Sequence, residues 1–215
     1  MKGAYAVLGA GSFGSKLAVE LSEAGHHVVV VDCDREAIMT IREKVTDALV
    51  ADASNPDVIR ELDIKKFDAV IIAMSSHFED MVLALTLVKQ EGADKIYAKA
   101  NSAIQKRILL RLGADIVIQP DQDVAERLCA QLSMSKVSDM FEFKGSFIAE
   151  VGIPGKMINK TIRSLDMRNK YNLTILLVKK PGQEMTTVWD PNMVLQEDDR
   201  LVVIGSEKAI TEVFK

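Results

Sequence analysis

Three glycines near the N-terminus, in Gly9-Ala10-Gly11-Ser12-Phe13-Gly14, have the spacing G-x-G-x-x-G. The pattern alone is common by chance, but here an apolar run, Ala4–Leu8, leads in and an amphipathic stretch, Ser12–Ala24, leads out. That is the context in which such a loop holds phosphate. The first glycine permits the tight turn, the second lets a pyrophosphate approach the backbone, and the third lets helix pack on strand. The phosphate then meets unpaired N–H groups at the start of a helix. About twenty residues further on, where a carboxylate can take the ribose hydroxyls, the run Val28–Val31 ends in Asp32-Cys33-Asp34. An acid there repels a 2′-phosphate, although Arg35 beside it acts in the opposite sense. The chemistry implied is binding of an adenine nucleotide or dinucleotide. A glycine turn that holds nothing is the plain alternative.

Other segments should end beside the same loop, because ligands of open α/β sheets bind outside the carboxyl ends of the strands. These ends read Asp52-Ala53-Ser54, Met74-Ser75-Ser76 and Lys99-Ala100-Asn101. Lys99 either reaches a phosphate or partner carboxylate, or is solvated. Groups that could carry a reaction are scarce. Gly152-Ile153-Pro154-Gly155-Lys156 has two residues between its glycines where a Walker A loop has four. His26 and His27 precede a strand, at the wrong end of a sheet for chemistry, and His77 alone falls at the ligand end, where nucleotide contact or helix capping is its expected role. The chain beyond Ser135 has neither Cys nor His, and Glu197-Asp198-Asp199 reads as a solvated charged turn. The sequence describes a nucleotide platform without a reaction centre, and so no enzyme. A small NAD-dependent oxidoreductase using His77 or Lys99 is the alternative.

The elements that must position these residues follow from periodicity. Ala4–Leu8, His27–Asp32, Ala48–Ala51, Ala69–Ala73, Lys95–Ala98 and Ile116–Ile118 are short and almost wholly apolar, as strands buried on both faces of a parallel sheet read. Between them Ser12–Ala24, Pro56–Leu62, Phe78–Gln90 and Ser102–Leu112 read as helices, with a further helix over Asp121–Ser133. Alternation of this kind predicts a Rossmann-like, doubly wound parallel sheet over residues 1–134. The polar stretch Met134–Ser138 is the expected boundary. Residues 139–215 form a small α+β module. Its strands are expected at Phe147–Ile153, Thr174–Lys179, Met185–Trp189 and Arg200–Ile204, with a turn at Pro181-Gly182-Gln183 and helices over Thr161–Asn169 and Glu207–Phe214.

A chain of 215 residues with 48% hydrophobic and 27% charged residues is globular in composition. Its net charge of −4 offers no electrostatic footprint for nucleic acid. Cys33 and Cys129 lie far apart and outside any CxxC pair, so they are read as reduced thiols, buried or half-buried. No apolar run approaches the roughly 20 residues of a membrane span, so the chain is expected to be cytoplasmic unless a partner holds it at a membrane.

Longer stretches carry a resemblance. VLGAGSFGS, VVVVDCD, VADASN, AVIIAMSS, IYAKANS and RLGADIVIQPDQDVAERL in the first part, with VGIPGKMINKTIRSLDMRNKYNLTILLVKK and LQEDDRLVVIGS in the second, resemble the regulatory RCK (KTN) proteins of bacterial potassium uptake, of the KtrA and TrkA type. The likeness covers nearly the whole chain, and its single N–C domain pair is similar to KtrA. It implies an RCK-N domain followed by an RCK-C domain and a homo-oligomeric, octameric ring beneath a membrane pore-forming potassium transporter subunit. It also implies gating by nucleotide: ATP and ADP in one type, NAD(H) in the other. Carried over by position, the contacts are Gly9, Gly11, Ser12, Phe13 and Gly14; Asp32, Cys33 and Asp34; Asp52 and Ala53; Met74 and Ser75; and Lys99, Ala100, Asn101 and Gln105. Asp121 falls where similar proteins place a carboxylate near the phosphates, to help hold a divalent cation; an acid at a helix N-terminus is the plain alternative. ATP-responsive relatives carry an Arg after the second loop glycine, and here that residue is Ser12.

Overall fold

A computed structural model describes residues 2–74, 77–133, 136–188 and 190–214. The chain divides into two compact units between Gln122 and Asp123.

In the first unit β1 (Ala4–Leu8), β2 (His27–Asp32), β3 (Asp47–Val50), β4 (Ala69–Ile72), β5 (Ile96–Lys99) and β6 (Ile116–Ile118) form one sheet in the order β3-β2-β1-β4-β5-β6. Every pairing is parallel. The crossovers carry α1 (Ser12–Glu23), α2 (Arg35–Ile41), α3 (Pro56–Glu61), α4 (Phe78–Gln90) and α5 (Ala103–Leu112). Alternate residues of each strand face opposite layers. Val7, Val28, Val30 and Ile71 pack with Ala18 of α1 and Ile38 of α2. Leu8, Val29, Val31 and Ile72 pack with Met81 and Leu85 of α4. The register matters for function: Leu8 lies opposite Val31 on one side and Ile72 on the other. Gly9, Asp32 and Ala73 therefore leave the sheet together, along one edge, beside the point where the strand order reverses.

The helix α6 (Pro120–Ser133) crosses the division between the units. In the second unit β7 (Val137–Phe143), β8 (Ser146–Gly152), β9 (Thr174–Lys179), β10 (Thr186–Thr187) and β11 (Arg200–Gly205) make an antiparallel sheet in the order β10-β9-β11-β8-β7. The short helices α7 (Ile162–Leu165) and α8 (Met167–Tyr171) and the amphipathic α9 (Glu207–Phe214) complete the unit. Its core is Val151, Leu173, Leu201, Val203, Ile210 and Phe214, among others.

Several expectations needed correction. Arg35–Ile41 is a helix the sequence reading left out; Asp34 caps it, accepting from Glu36 N–H at 2.8 Å. The polar stretch before residue 139 runs into β7 at Val137, while Met134 and Ser135 of the expected boundary lie outside the described residues. The single helix expected over Thr161–Asn169 is broken at Asp166, which takes a left-handed conformation with φ 48°. The strand expected over Met185–Trp189 reduces to the two residues of β10, with Trp189 outside the described residues. Both cysteines are exposed rather than buried: Cys33 follows the end of β2, and Cys129 stands on an exposed turn of α6. Asp199 is wholly buried, not solvated, because Lys180 reaches its Oδ2 at 2.6 Å and the Gln196 N–H donates to the same atom at 2.8 Å.

Candidate functional site

The glycine loop is held by backbone on both sides. Gly9 N–H donates to Val31 C=O at 2.8 Å, and Gly9 has φ 108°, where a side chain is strained. A Cβ at Gly14 would run into the Gly9 carbonyl oxygen and lie 3.1 Å from Ala73 Cβ, so the third glycine is required for helix to meet strand. Gly11 is different. A Cβ there would have no protein atom within 4 Å. The space above it is open, and Gly11 is the N-cap of α1 without any side-chain hydrogen bond to the first turn. The first intrahelical bond is Ser15 N–H to Gly11 C=O at 2.9 Å, which leaves the preceding amides of Ser12, Phe13 and Gly14 pointing outward. No acidic residue occupies the first turn of α1. Open cradle, uncapped amides and the positive end of the helix dipole together make a seat for an anion.

Asp32 closes the loop from the neighbouring strand. Its Oδ2 accepts from Ala10 N–H at 2.5 Å and its Oδ1 from Asp34 N–H at 2.8 Å. The carboxylate is thereby fixed in orientation, half-buried, at the end of β2. Asp52 at the end of β3 accepts from Ser54 N–H at 2.8 Å and Ser54 Oγ–H at 2.7 Å, and these bonds, the hydroxyl's first, hold its pKa below the usual aspartate value. Partial desolvation, and then the neighbouring Asp32 charge, push the Cys33 thiol up.

These strand ends enclose a cavity of about 280 Å³, near the lower end of the range for small-molecule sites. Gly9, Gly11, Asp32, Cys33, Asp34, Asp52, Ala53 and Met74 line it. Ser12, Phe13 and Gly14 head α1 directly above Gly11 without forming its wall. Ser75 lies outside the described residues. Lys99, Ala100, Asn101 and Gln105 are at the end of β5 and the start of α5, away from that lining. Gln105 Oε1 accepts from Asn101 N–H at 2.8 Å, and Gln105 N–H donates to Ser102 Oγ at 3.2 Å, so its side chain takes part in capping α5. Lys99 Nζ, nearly buried, faces Asp121 Oδ2 at 3.4 Å. Among the described residues no group of three or more His, Cys, Asp or Glu converges as a metal site, and Asp121 faces a cation instead. The cavity also takes in His77, for which nucleotide contact or helix capping was expected, and Ala37 and Asp80, which were not among the expected contacts. His77 precedes α4, its Nδ1 3.7 Å from Asp80 Oδ2 in the first turn. A His at a strand-to-helix junction on the ligand side is legible in sequence; the reach of Asp80 depends on how α4 approaches the sheet and is not.

Known proteins share both halves of this architecture. Residues 5–120 match the TrkA-N domain and residues 147–215 the TrkA-C domain. The Ktr system potassium uptake protein A of Bacillus subtilis (strain 168) is 30% identical over 207 residues, a match covering 96% of this chain and 93% of that protein. The Ktr system potassium uptake protein C of the same organism is 28% identical over 216 residues, covering 100% and 97%. Among solved structures, the GsuK channel bound to NAD superimposes with a TM-score of 0.67 at 21% identity, a likeness of fold that covers all of this chain and 40% of the channel's. This chain thus spans less than half the length of that channel. With two domain matches in the right order and relatives aligned almost end to end, the chain belongs to the TrkA-type, or RCK, family, as a TrkA-N domain followed by a TrkA-C domain.

Proposed function

We propose that this chain is a cytoplasmic, nucleotide-sensing regulatory subunit that gates a membrane potassium-uptake channel or transporter. The observation that carries the reading is the open cradle at Gly11. It stands over uncapped helix amides, beside a carboxylate fixed at the next strand end, in a chain whose near full-length relatives are potassium uptake proteins. Solved structures that share the fold include the GsuK channel bound to NAD and a Kef C-terminal domain from Shewanella denitrificans in its AMP-bound form. The adenosine sugar would lie against Asp32 and its phosphates against the amides of Ser12, Phe13 and Gly14. No helix of the described residues is long and apolar enough to cross a membrane, and on this reading the pore belongs to a membrane partner.

Such a subunit acts by binding its ligand more tightly in one conformation of the assembly than in the other. The assembly proposed is a homo-oligomeric ring, octameric by analogy with the family, in which occupancy of the cradle alters the ring and the ring alters the pore. The divalent cation implied by the family would need ligands beyond Asp121, which here faces Lys99. Titration calorimetry with ATP, ADP, NADH and AMP, paired with solution scattering, tests the proposal. The expected result is saturable binding that differs between ligands and changes the particle's dimensions. Equal affinity and unchanged shape for all of them would remove the basis for a switch.

A further inference from the structure

The wall of the proposed nucleotide cavity is acidic. Asp32, Asp34, Asp52 and Asp80 line it, and among the described residues that line it there is neither Lys nor Arg. Each acid is held as an acceptor or stands beside a histidine. Asp32 takes two backbone N–H groups, Asp34 caps α2, Asp52 takes both groups of Ser54, and Asp80 stands near His77. The cations that the sequence places at the same strand ends do not offset them. Arg35 starts α2 outside the lining, and Lys99 faces Asp121. The loop itself contributes Ser12 and Phe13 after Gly11, not a base. Among the described residues, the fixed positive element at the seat is the helix N-terminus with its amides, worth roughly half an elementary charge.

From this we infer that the site selects its ligand by charge, taking a diphosphate capped at both ends by a sugar in preference to a nucleotide with a free terminal phosphate. The inference rests on the proposed nucleotide-sensing function of the same cavity. A capped diphosphate, as in ADP-ribose or NADH, carries about two negative charges; ADP carries about three and ATP about four, because a terminal phosphate has a second ionisation near pH ~6. Each added charge is repelled by four fixed carboxylates and attracted by one helix terminus. The adenosine and diphosphate contacts are common to all of these ligands, so the difference between them reports the charge of the wall.

The test is calorimetry on the full-length protein at pH 7.5 in low salt with EDTA, using ADP-ribose, NADH, ADP and ATP. ADP-ribose and NADH are expected to bind at least tenfold more tightly than ATP, with ADP between. The gap should shrink as salt screens the wall, when magnesium neutralises part of ATP's charge, and in Asp80→Asn. ATP binding as tightly as ADP-ribose without magnesium, or a gap indifferent to salt and to Asp80→Asn, would overturn charge selection while leaving the cavity a nucleotide site. Absence of binding by all four ligands, or binding that survives Gly11→Asp, would instead remove the nucleotide reading and this inference with it.

Discussion

Gly11 and Gly14 stand three residues apart and should respond to substitution in opposite ways. Gly11→Asp places a preferred N-cap side chain where no protein atom is in the way, so the fold should keep its stability or gain a few tenths of a kcal/mol. The new carboxylate would itself take the amides of the first turn. Nucleotide affinity should therefore fall by at least a hundredfold in calorimetry while the melting temperature holds. Gly14→Ala drives a methyl group into the Gly9 carbonyl, a backbone atom that cannot rotate away. Overpacking of this kind costs about 1–3 kcal/mol, and thermal melts should show it without ligand present. If Gly11→Asp melted early and Gly14→Ala did not, the assignment of cradle and packing glycine would be reversed. Asp52 gives a smaller, pH-dependent signal. Its pKa is depressed in the folded chain by Ser54, so the stabilisation is present above the ordinary aspartate value of about 3.9 and is lost as pH falls through the folded value. Because Asp52 is exposed, Ser54→Ala should cost under about 1 kcal/mol at neutral pH, with the difference from wild type vanishing in acid melts. At this scale the sequence was informative about Gly9, Gly11 and Asp32, because their roles are set by local spacing. It was silent about Asp80, whose place in the wall depends on the approach of α4.

Elements were legible where one period ran without interruption. β1, β2, β6, β9, α4 and α9 fall where periodicity puts them, because buried parallel strands and amphipathic helices are written in their own residues. β7 was missed for a physical reason. Its register shifts between Val137 and Asp139, so its buried residues Val137 and Met140 are three apart and the twofold alternation is lost. Helix α2 was missed although its signal was present, in Asp34 as a cap with Ile38 and Ile41 on one face. The buried Asp199 has no local signature at all, since Lys180 arrives from a different part of the chain. That pair predicts an asymmetry. Lys180→Met leaves Asp199, fully buried, with Gln196 N–H alone as its described donor, and loss of the partner of a buried charge costs about 3–5 kcal/mol. Asp199→Asn leaves Lys180, whose side chain is 27% exposed, able to turn towards water, so its cost should be nearer 1–3 kcal/mol. Chemical denaturation of the two variants decides the order; equal costs would mean that the carboxylate does not depend on the lysine.

For the whole molecule the question is what an isolated subunit leaves uncovered. Two of the apolar helices differ in this respect. α4 places Met81, Ala84, Leu85 and Val88 in the core of the first unit, which accounts for its apolar face. α6 does not bury its own: Val124 is 64% exposed, Leu128 50% and Leu132 79%, at i, i+4 and i+8 on one side of the helix. Ile104, Ile108 and Leu112 repeat the same spacing, exposed, on α5. Two such stripes leave several large aliphatic side chains in water, and each gains roughly 1.5–3 kcal/mol when fully covered, enough in sum to drive association of copies of the chain. Light scattering should therefore find the purified chain as an assembly larger than a monomer. The double variant Val124→Glu, Leu128→Glu should reduce the mass of the particle without loss of helical circular dichroism, because neither residue supports the fold of the subunit. A wild-type chain that stayed monomeric across the micromolar range, or a double variant of undiminished mass, would show that α6 is not the surface through which copies meet.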